Sequence, residues 1–262
     1  EVALGFKFLS VADQTYHWGL LDREIYLAIW IVVFSLLGFY LLGKLRFPHD
    51  EKVEHLNLVR LVSSIAVFSF VVYMIPGMFG APLKALSGYL PPISSQDFVI
   101  GRGQAAAVAP SSSSADANPY GLEMPYGLNG YFKLEDALEA AGKSGKPVFV
   151  DVTGHGCVNC REMEARVWSD PRVMDLLSNR FELVALYVDD KTKLREEDWV
   201  YASNGDVYKD VGRANAYIAR EKFGVNSQPN YILLGPDGRQ IGEPRGYNLD
   251  IDGFIEFLKQ AL

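Results

Sequence analysis

Two long apolar runs constrain the fold of this 262-residue chain more than any other feature. The first, Ile25 to Leu45, has no charge before Lys44, and the second, Leu61 to Phe79, has none at all. About 20 apolar residues cross a hydrocarbon core of about 30 Å. We therefore predict transmembrane helices at about residues 25–45 and 59–79. Two buried helices of a soluble domain are the alternative, and such helices rarely run this long without a polar face.

The charges beside these runs predict their orientation. The segment between them carries four basic residues, namely Lys44, Arg46, Lys52 and Arg60, whereas the outer flanks carry only Arg23 and Lys84. Loops rich in Lys and Arg stay on the cytoplasmic side. The connecting loop is therefore predicted to be cytoplasmic, which places the rest of the chain in a periplasm-like space.

The composition changes along the chain and predicts three parts. Residues 1–93 are a predicted membrane region and residues 94–128 a flexible linker, because the stretch from Ala105 to Asn118 holds mainly small residues without periodicity. Residues 129–262 hold 17 Lys and Arg against 22 Asp and Glu, a balance typical of a soluble domain. The absence of a basic stripe argues against nucleic acid as a partner.

The third part alternates strand and helix patterns. We predict helices over 134–141, 161–177, 214–223 and 251–262, and strands over 148–152, 181–188, 231–234 and 239–242. This order indicates an α/β domain with a mixed sheet flanked by helices.

The two cysteines of the chain, Cys157 and Cys160, stand between the first of these strands and the next helix. A helix N-terminus favours negative charge, so a thiolate is stabilised there. This spacing predicts a redox-active dithiol. With His155 the cysteines supply three metal ligands, and a closed structural zinc site needs four. Covalent haem attachment needs His directly after the second cysteine, and Arg161 stands there. We therefore expect no metal, and no cofactor besides a Cys157–Cys160 disulfide.

These residues resemble the thioredoxin superfamily and, more narrowly, the C-terminal part of the DsbD family of membrane thiol:disulfide interchange proteins. Four features carry the resemblance. The dithiol follows a buried strand, Asp151 precedes Cys157 by six residues, Pro229 precedes a strand, and the sequence Trp168-Ser169-Asp170-Pro171 follows the active-site helix. Two predicted spans ahead of the domain strengthen the narrower likeness.

The resemblance assigns roles to particular residues. It implies that Pro229 follows a cis peptide bond and forms a substrate groove with Gln228, Gly156 and His155. Gly156 departs from the family, which usually has Trp before the first cysteine.

The residues themselves indicate how disulfide exchange would proceed. Cys157, partly exposed, is expected to be the nucleophile, and Cys160, more buried, the resolving cysteine. Asp151 is the expected proton acceptor, because a carboxylate under an apolar sheet has a raised pKa. A satisfied polar group at a strand end is the alternative for Asp151.

The resemblance also implies a function. The family carries reducing power across the bacterial inner membrane, from a cysteine pair in the membrane region to periplasmic disulfide proteins that include cytochrome c maturation factors. We therefore expect a multi-pass protein in the lipid bilayer with its C-terminal domain in the periplasm. Because residues 1–128 hold no cysteine, we also expect the chain to be the C-terminal piece of a longer protein whose further helices contain two.

Several alternatives stay open at this level. A membrane-anchored disulfide oxidase or isomerase has the same fold and differs only in redox poise, and a non-catalytic binding module is a further alternative. His155 either lowers the pKa of Cys157 or is an ordinary loop residue. Residues 191–213 form either a solvated face or a docking insertion with Trp199, Tyr201 and Tyr208 as contacts.

Overall fold

A computed structural model of the chain describes residues 2–50, 52–53, 55–81, 83–96, 118 and 120–262. Most of the predicted linker, residues 97–117 and 119, lies outside these described residues. The predicted boundaries at 93 and 128 therefore stay predictions.

Three helices make up the first part of the chain. They are α1 (Val2–Tyr16), α2 (Arg23–Leu41) and α3 (Leu58–Met74), and a 3-10 turn, Ile75–Phe79, continues the third. Helices α2 and α3 pack together as a hairpin, with Phe34 against Phe70 and Phe39 against Phe68. Arg23–Leu41 and Leu58–Phe79 are long and apolar enough to cross a membrane by length and composition, and fewer than a quarter of the residues in each apolar stretch are buried.

A four-stranded mixed sheet forms the centre of the second part. Its strands are β1 (Val148–Thr153), β2 (Glu182–Tyr187), β5 (Asn230–Leu234) and β6 (Gln240–Arg245), in the order β2-β1-β5-β6. Strand β1 runs parallel to β2 and antiparallel to β5, and β6 runs antiparallel to β5. The predicted α/β class with a mixed sheet is therefore confirmed.

Helices cover both faces of this sheet. The helices are α4 (Leu134–Ser144), α5 (Val158–Met163), α6 (Pro171–Arg180), α7 (Val211–Phe223) and α8 (Ile251–Lys259). Side chains alternate along a strand, so Phe149 of β1 packs with α5, α6 and α8, whereas Val148 and Val150 pack with α4 and α7. Asp151 shares the face of Phe149, which is the face beneath the active-site helix.

The predicted single helix over 161–177 is wrong. Helix α5 begins earlier, at Val158, and passes into a π-helical turn, Glu164–Trp168, which ends at Ser169. Helix α6 then starts anew at Pro171, where the Asp170 side chain accepts the backbone N–H of Arg172. Proline lacks an N–H and favours the first position of a helix, which explains the new start.

The long segment after β2 contains a small hairpin, β3 (Val200–Tyr201) with β4 (Val207–Tyr208). Trp199 contacts Lys209, whose Nζ lies 4.0 Å from the indole ring centroid, and the Tyr208 ring packs against that of Tyr217 of α7. Tyr201 is exposed. Two of the three aromatic residues therefore pack within the domain, and docking through this segment stays untested.

Helix α1 packs against the second part of the chain. The backbone N–H of Lys191 donates to Thr15 O at 3.2 Å, beside the end of α1. A Cβ atom added to Gly156 would lie 3.3 Å from Val11 Cγ1, and one added to Gly88 would lie 2.5 Å from Val158 Cγ1. The first part of the chain thus contacts the residues on both sides of Cys157.

Candidate active site

Cys157 and Cys160 form a disulfide at the N-terminus of α5, with a Cα–Cα distance of 5.3 Å. Cys157 is the N-cap residue, and its Sγ accepts a hydrogen bond of 3.1 Å from the backbone N–H of Cys160. A backbone N–H and the positive end of a helix are groups that stabilise a thiolate.

The two cysteines differ little in exposure, although a clear difference was predicted. Cys157 is 6% exposed and Cys160 is 2% exposed. The expectation of a partly exposed Cys157 is therefore wrong in this conformation. Val11 of α1 lies close to Gly156, and Gly88 lies close to Val158, so the first part of the chain approaches the redox loop on both sides of Cys157.

Gly156 permits the close approach of α1 to the redox loop, because a larger side chain there would meet Val11. We expect Gly156→Trp to displace α1 and raise the rate at which iodoacetamide alkylates reduced Cys157. Overpacked contacts cost about 1–3 kcal/mol, so the rate should rise about 5- to 140-fold. Gly142→Trp is the control, because a Cβ atom at Gly142 meets nothing within 4 Å. Equal rates in the two variants would show that α1 does not restrict access.

Asp151 lies on the central strand and is buried, at 3% exposed. Its Oδ1 has no hydrogen-bond partner among the described residues, which argues against a satisfied polar group. Burial raises the pKa of Asp151 well above its usual range, the charge of Glu164 raises it further, and the charge of Arg161 opposes both. A buried carboxyl with a raised pKa suits a proton acceptor.

Arg161 and Glu164 form a buried ion pair on the active-site helix that the sequence analysis missed. Arg161 Nη2 lies 2.8 Å from Glu164 Oε1 and donates to Thr153 Oγ1 at 3.3 Å. Burial raises the pKa of Glu164 to about 7 although Arg161 lowers it. The i,i+3 spacing of opposite charges was visible in the sequence, but nothing there showed that this face of the helix is buried.

Two acidic residues hold the loop before Cys157, and both were missed. The Asp189 carboxylate accepts the backbone N–H groups of His155 and Gly156, each at 2.9 Å. The Asp190 carboxylate accepts from the His155 side chain at 2.8 Å. They fix the loop, and they give His155 a structural partner that the sequence analysis did not foresee.

The Gln228–Pro229 peptide bond is cis, which confirms the geometry that the resemblance implied. A Cβ atom added to Gly154 would lie 2.7 Å from Gln228 Oε1, so Gln228 contacts the start of the redox loop. The structure therefore brings the predicted groove residues Gln228, His155 and Gly156 to one loop region, beside the cis-proline. Their role in binding substrate stays a prediction.

One family model agrees with the fold of the second part of the chain. Residues 134–262 match the family model of the thioredoxin-like domain. This part of the chain is a thioredoxin-like domain with a close cysteine pair, the pattern of a thiol–disulfide oxidoreductase. No curated protein sequence matches the chain.

Several solved structures are similar to the domain. A DsbH oxidoreductase is 16% identical with a TM-score of 0.39, covering 54% of this chain and 90% of the other. A thioredoxin from Thermus thermophilus is 24% identical with a TM-score of 0.36, covering 49% and 83%. The reduced DsbD C-terminal domain of Neisseria meningitidis is 22% identical with a TM-score of 0.34, covering 49% and 94%.

Proposed function

We propose that the chain is a membrane-anchored protein-disulfide reductase that works through Cys157 and Cys160. The observation that carries this proposal is the disulfide at the start of α5 in a thioredoxin-like domain, with the Cys160 N–H donating to Cys157 Sγ. The disulfide is the redox group, and no other cofactor enters the proposed reaction.

The proposed reaction is a pair of thiol–disulfide exchanges. The Cys157 thiolate attacks a substrate disulfide, forms a mixed disulfide and releases one substrate thiolate, which takes up a proton. The Cys160 thiol then loses its proton, and its thiolate attacks Cys157 Sγ and releases the second substrate thiolate. The dithiol is oxidised to the disulfide, and the substrate disulfide is reduced to two thiols.

Asp151 is the proposed acceptor of the Cys160 proton. Because burial raises the pKa of Asp151, the resolving rate should rise with pH as this carboxyl ionises. Asp151→Asn should lower that rate about 100-fold at neutral pH, as expected for loss of a general base. Stopped-flow measurement of substrate thiol release from the mixed disulfide checks this.

Glu164→Gln is the matched control for the Asp151→Asn variant. It removes a buried charge that raises the pKa of Asp151, so the rate profile should shift to lower pH and keep its plateau. An Asp151→Asn profile identical to that of the wild type would remove Asp151 from the mechanism.

Helices α2 and α3 are the proposed anchor in the lipid bilayer. Two apolar helices ahead of the domain and the basic residues between them support a bacterial inner-membrane location with the domain in the periplasm. In this proposal a dithiol of the membrane region, in the same or a longer protein, supplies electrons. Periplasmic disulfide proteins, including those of cytochrome c biogenesis, receive them.

The alternatives are a membrane-anchored oxidase or isomerase and a non-catalytic binding module. The chain in lipid nanodiscs should be mixed, when reduced, with a disulfide-bonded protein and, when oxidised, with a reduced one. A reductase reduces the first substrate much faster than it oxidises the second. The reverse order supports an oxidase, and no exchange in either direction supports a binding module.

A further inference from the structure

Three side chains from distant parts of the chain converge beside the redox loop. The Nε2 atoms of His17 and His155 each lie 2.8 Å from the same oxygen, Oδ2 of Asp190. All three ligand atoms lie within 4.8 Å of one another. His17 follows helix α1, His155 precedes Cys157 by two residues, and Asp190 follows strand β2. The thiol mechanism uses none of these side chains.

We propose that His17, His155 and Asp190 form a binding site for a divalent transition-metal ion, with Zn²⁺ as the best match. Two imidazole nitrogens and one carboxylate oxygen are donors that Zn²⁺ prefers, and three protein ligands leave a fourth position for water. A closed structural site needs four protein ligands, which Cys157, Cys160 and His155 do not supply, whereas this set is an open site that water completes and that uses no sulfur.

The side chains must move to admit the ion. Zinc–ligand bonds of about 2.0–2.2 Å place tetrahedral ligand atoms about 3.3 Å apart. Each histidine must therefore move about half an ångström away from Asp190 Oδ2, and the two Nε2 atoms, which lie within 4.8 Å of each other, must take the same spacing. Both Nε2 atoms must also be free of protons to bind the ion.

Neighbouring groups hold the side chains of Asp190 and His155 in place. Its other oxygen, Oδ1, accepts the backbone N–H of Thr192 at 2.8 Å, which fixes the carboxylate and leaves Oδ2 facing the two histidines. The Tyr187 ring lies against the His155 imidazole at a centroid distance of 4.6 Å. Such partners orient metal ligands.

Access to the cluster is from one side. The Asp190 side chain is fully buried and that of His155 is 9% exposed, whereas that of His17 is 34% exposed. An ion can therefore enter beside His17 and keep a water ligand there. Because His17 follows α1 and His155 lies on the redox loop, a bound ion would join the two, close to Cys157.

Zinc titration of the full chain in detergent tests this site. The chain is stripped with EDTA, its disulfide is kept oxidised so that no thiolate competes, and Zn²⁺ is added at pH 7.5 against a chromophoric chelator. We expect one Zn²⁺ per chain and an X-ray absorption spectrum with nitrogen and oxygen neighbours and no sulfur. His17→Gln and His155→Gln should each weaken binding at least about 100-fold, more than the loss of an outer-shell partner.

The remaining histidines supply the control. His49 and His55 are exposed and lie in the loop between α2 and α3, so the double variant His49→Gln/His55→Gln should bind Zn²⁺ like the wild type. His17→Gln decides the outcome if His155→Gln fails to fold, because His17 lies at the surface. Absence of binding, unchanged binding in His17→Gln, or loss of binding in the double variant would each overturn the proposal.

Discussion

Replacing Cys157 by serine should reduce disulfide exchange to the uncatalysed background, the largest effect expected of any substitution in this chain. A serine hydroxyl does not ionise near neutral pH, so the helix N-terminus and the Cys160 N–H have no thiolate to stabilise. The measurement is reduction of a disulfide-bonded protein by the prereduced chain in nanodiscs, followed by free-thiol release.

Cys160→Ser provides the matched control, because it also removes the disulfide but keeps the nucleophile. It should attack substrate and then stop at a mixed disulfide between Cys157 and substrate, which mass spectrometry detects as a mass increase. Loss of the disulfide alone therefore cannot account for an inactive Cys157→Ser variant. A Cys157→Ser chain with more than a tenth of wild-type activity would contradict the assigned nucleophile.

Replacing Arg161 by methionine should destabilise the chain by an amount that depends on pH. In the wild type, the pKa of Glu164 is raised to about 7 by burial. Between the ordinary glutamate pKa of 4.5 and about pH 7, the folded state therefore holds a proton that the unfolded state has lost. The free energy of unfolding falls as pH rises through this range and then levels off. Without Arg161 the pKa of Glu164 rises further, so stability should continue to fall above pH 7.

Each pH unit of this continued fall corresponds to about 1.4 kcal/mol, which gives about 3 kcal/mol at pH 9. At pH 5.5 the difference should be below about 1 kcal/mol, because Glu164 is protonated in both proteins there. Denaturant unfolding of the detergent-solubilised chain, followed by tryptophan fluorescence, measures both values.

Two further variants separate charge from packing in this prediction. Adding Glu164→Gln to Arg161→Met should restore most of the stability at pH 9, because no unpaired glutamate remains. Arg166→Met, which removes a half-exposed ion pair with Glu162, should change stability by less than about 1 kcal/mol at either pH. A loss of stability that is equal at pH 5.5 and pH 9 would show that the buried charges are not its cause.

The sequence predicted features of the fold that depend on local patterns. The apolar strand predicted over 148–152, the dithiol after it and the turn before β6 each have a short-range signal, and the structure has all three. The continuous helix predicted over 161–177 is wrong because a new helix begins at Pro171. Periodicity alone does not show where two consecutive helices divide.

The residues missed at the site depend on contacts between distant segments. His17 meets Asp190 across 173 positions of sequence, and Val11 approaches Gly156 only because α1 folds back onto the domain. The burial of Arg161 and Glu164 likewise depends on what packs against the helix, which a local pattern does not contain. The sequence showed that Gly156 replaces the family's usual Trp. It did not show that α1 lies close to this position.

The redox potential of the Cys157–Cys160 pair tests the proposed direction of electron flow most directly. The chain in nanodiscs is equilibrated with defined ratios of reduced and oxidised dithiothreitol or glutathione, and the fraction of disulfide is read by thiol alkylation and mass spectrometry. Known thioredoxin-like proteins range from about −270 mV for reductants to about −120 mV for strong oxidants. A reductase requires a value near the reducing end, whereas a value near −120 mV would contradict the account and indicate an oxidase.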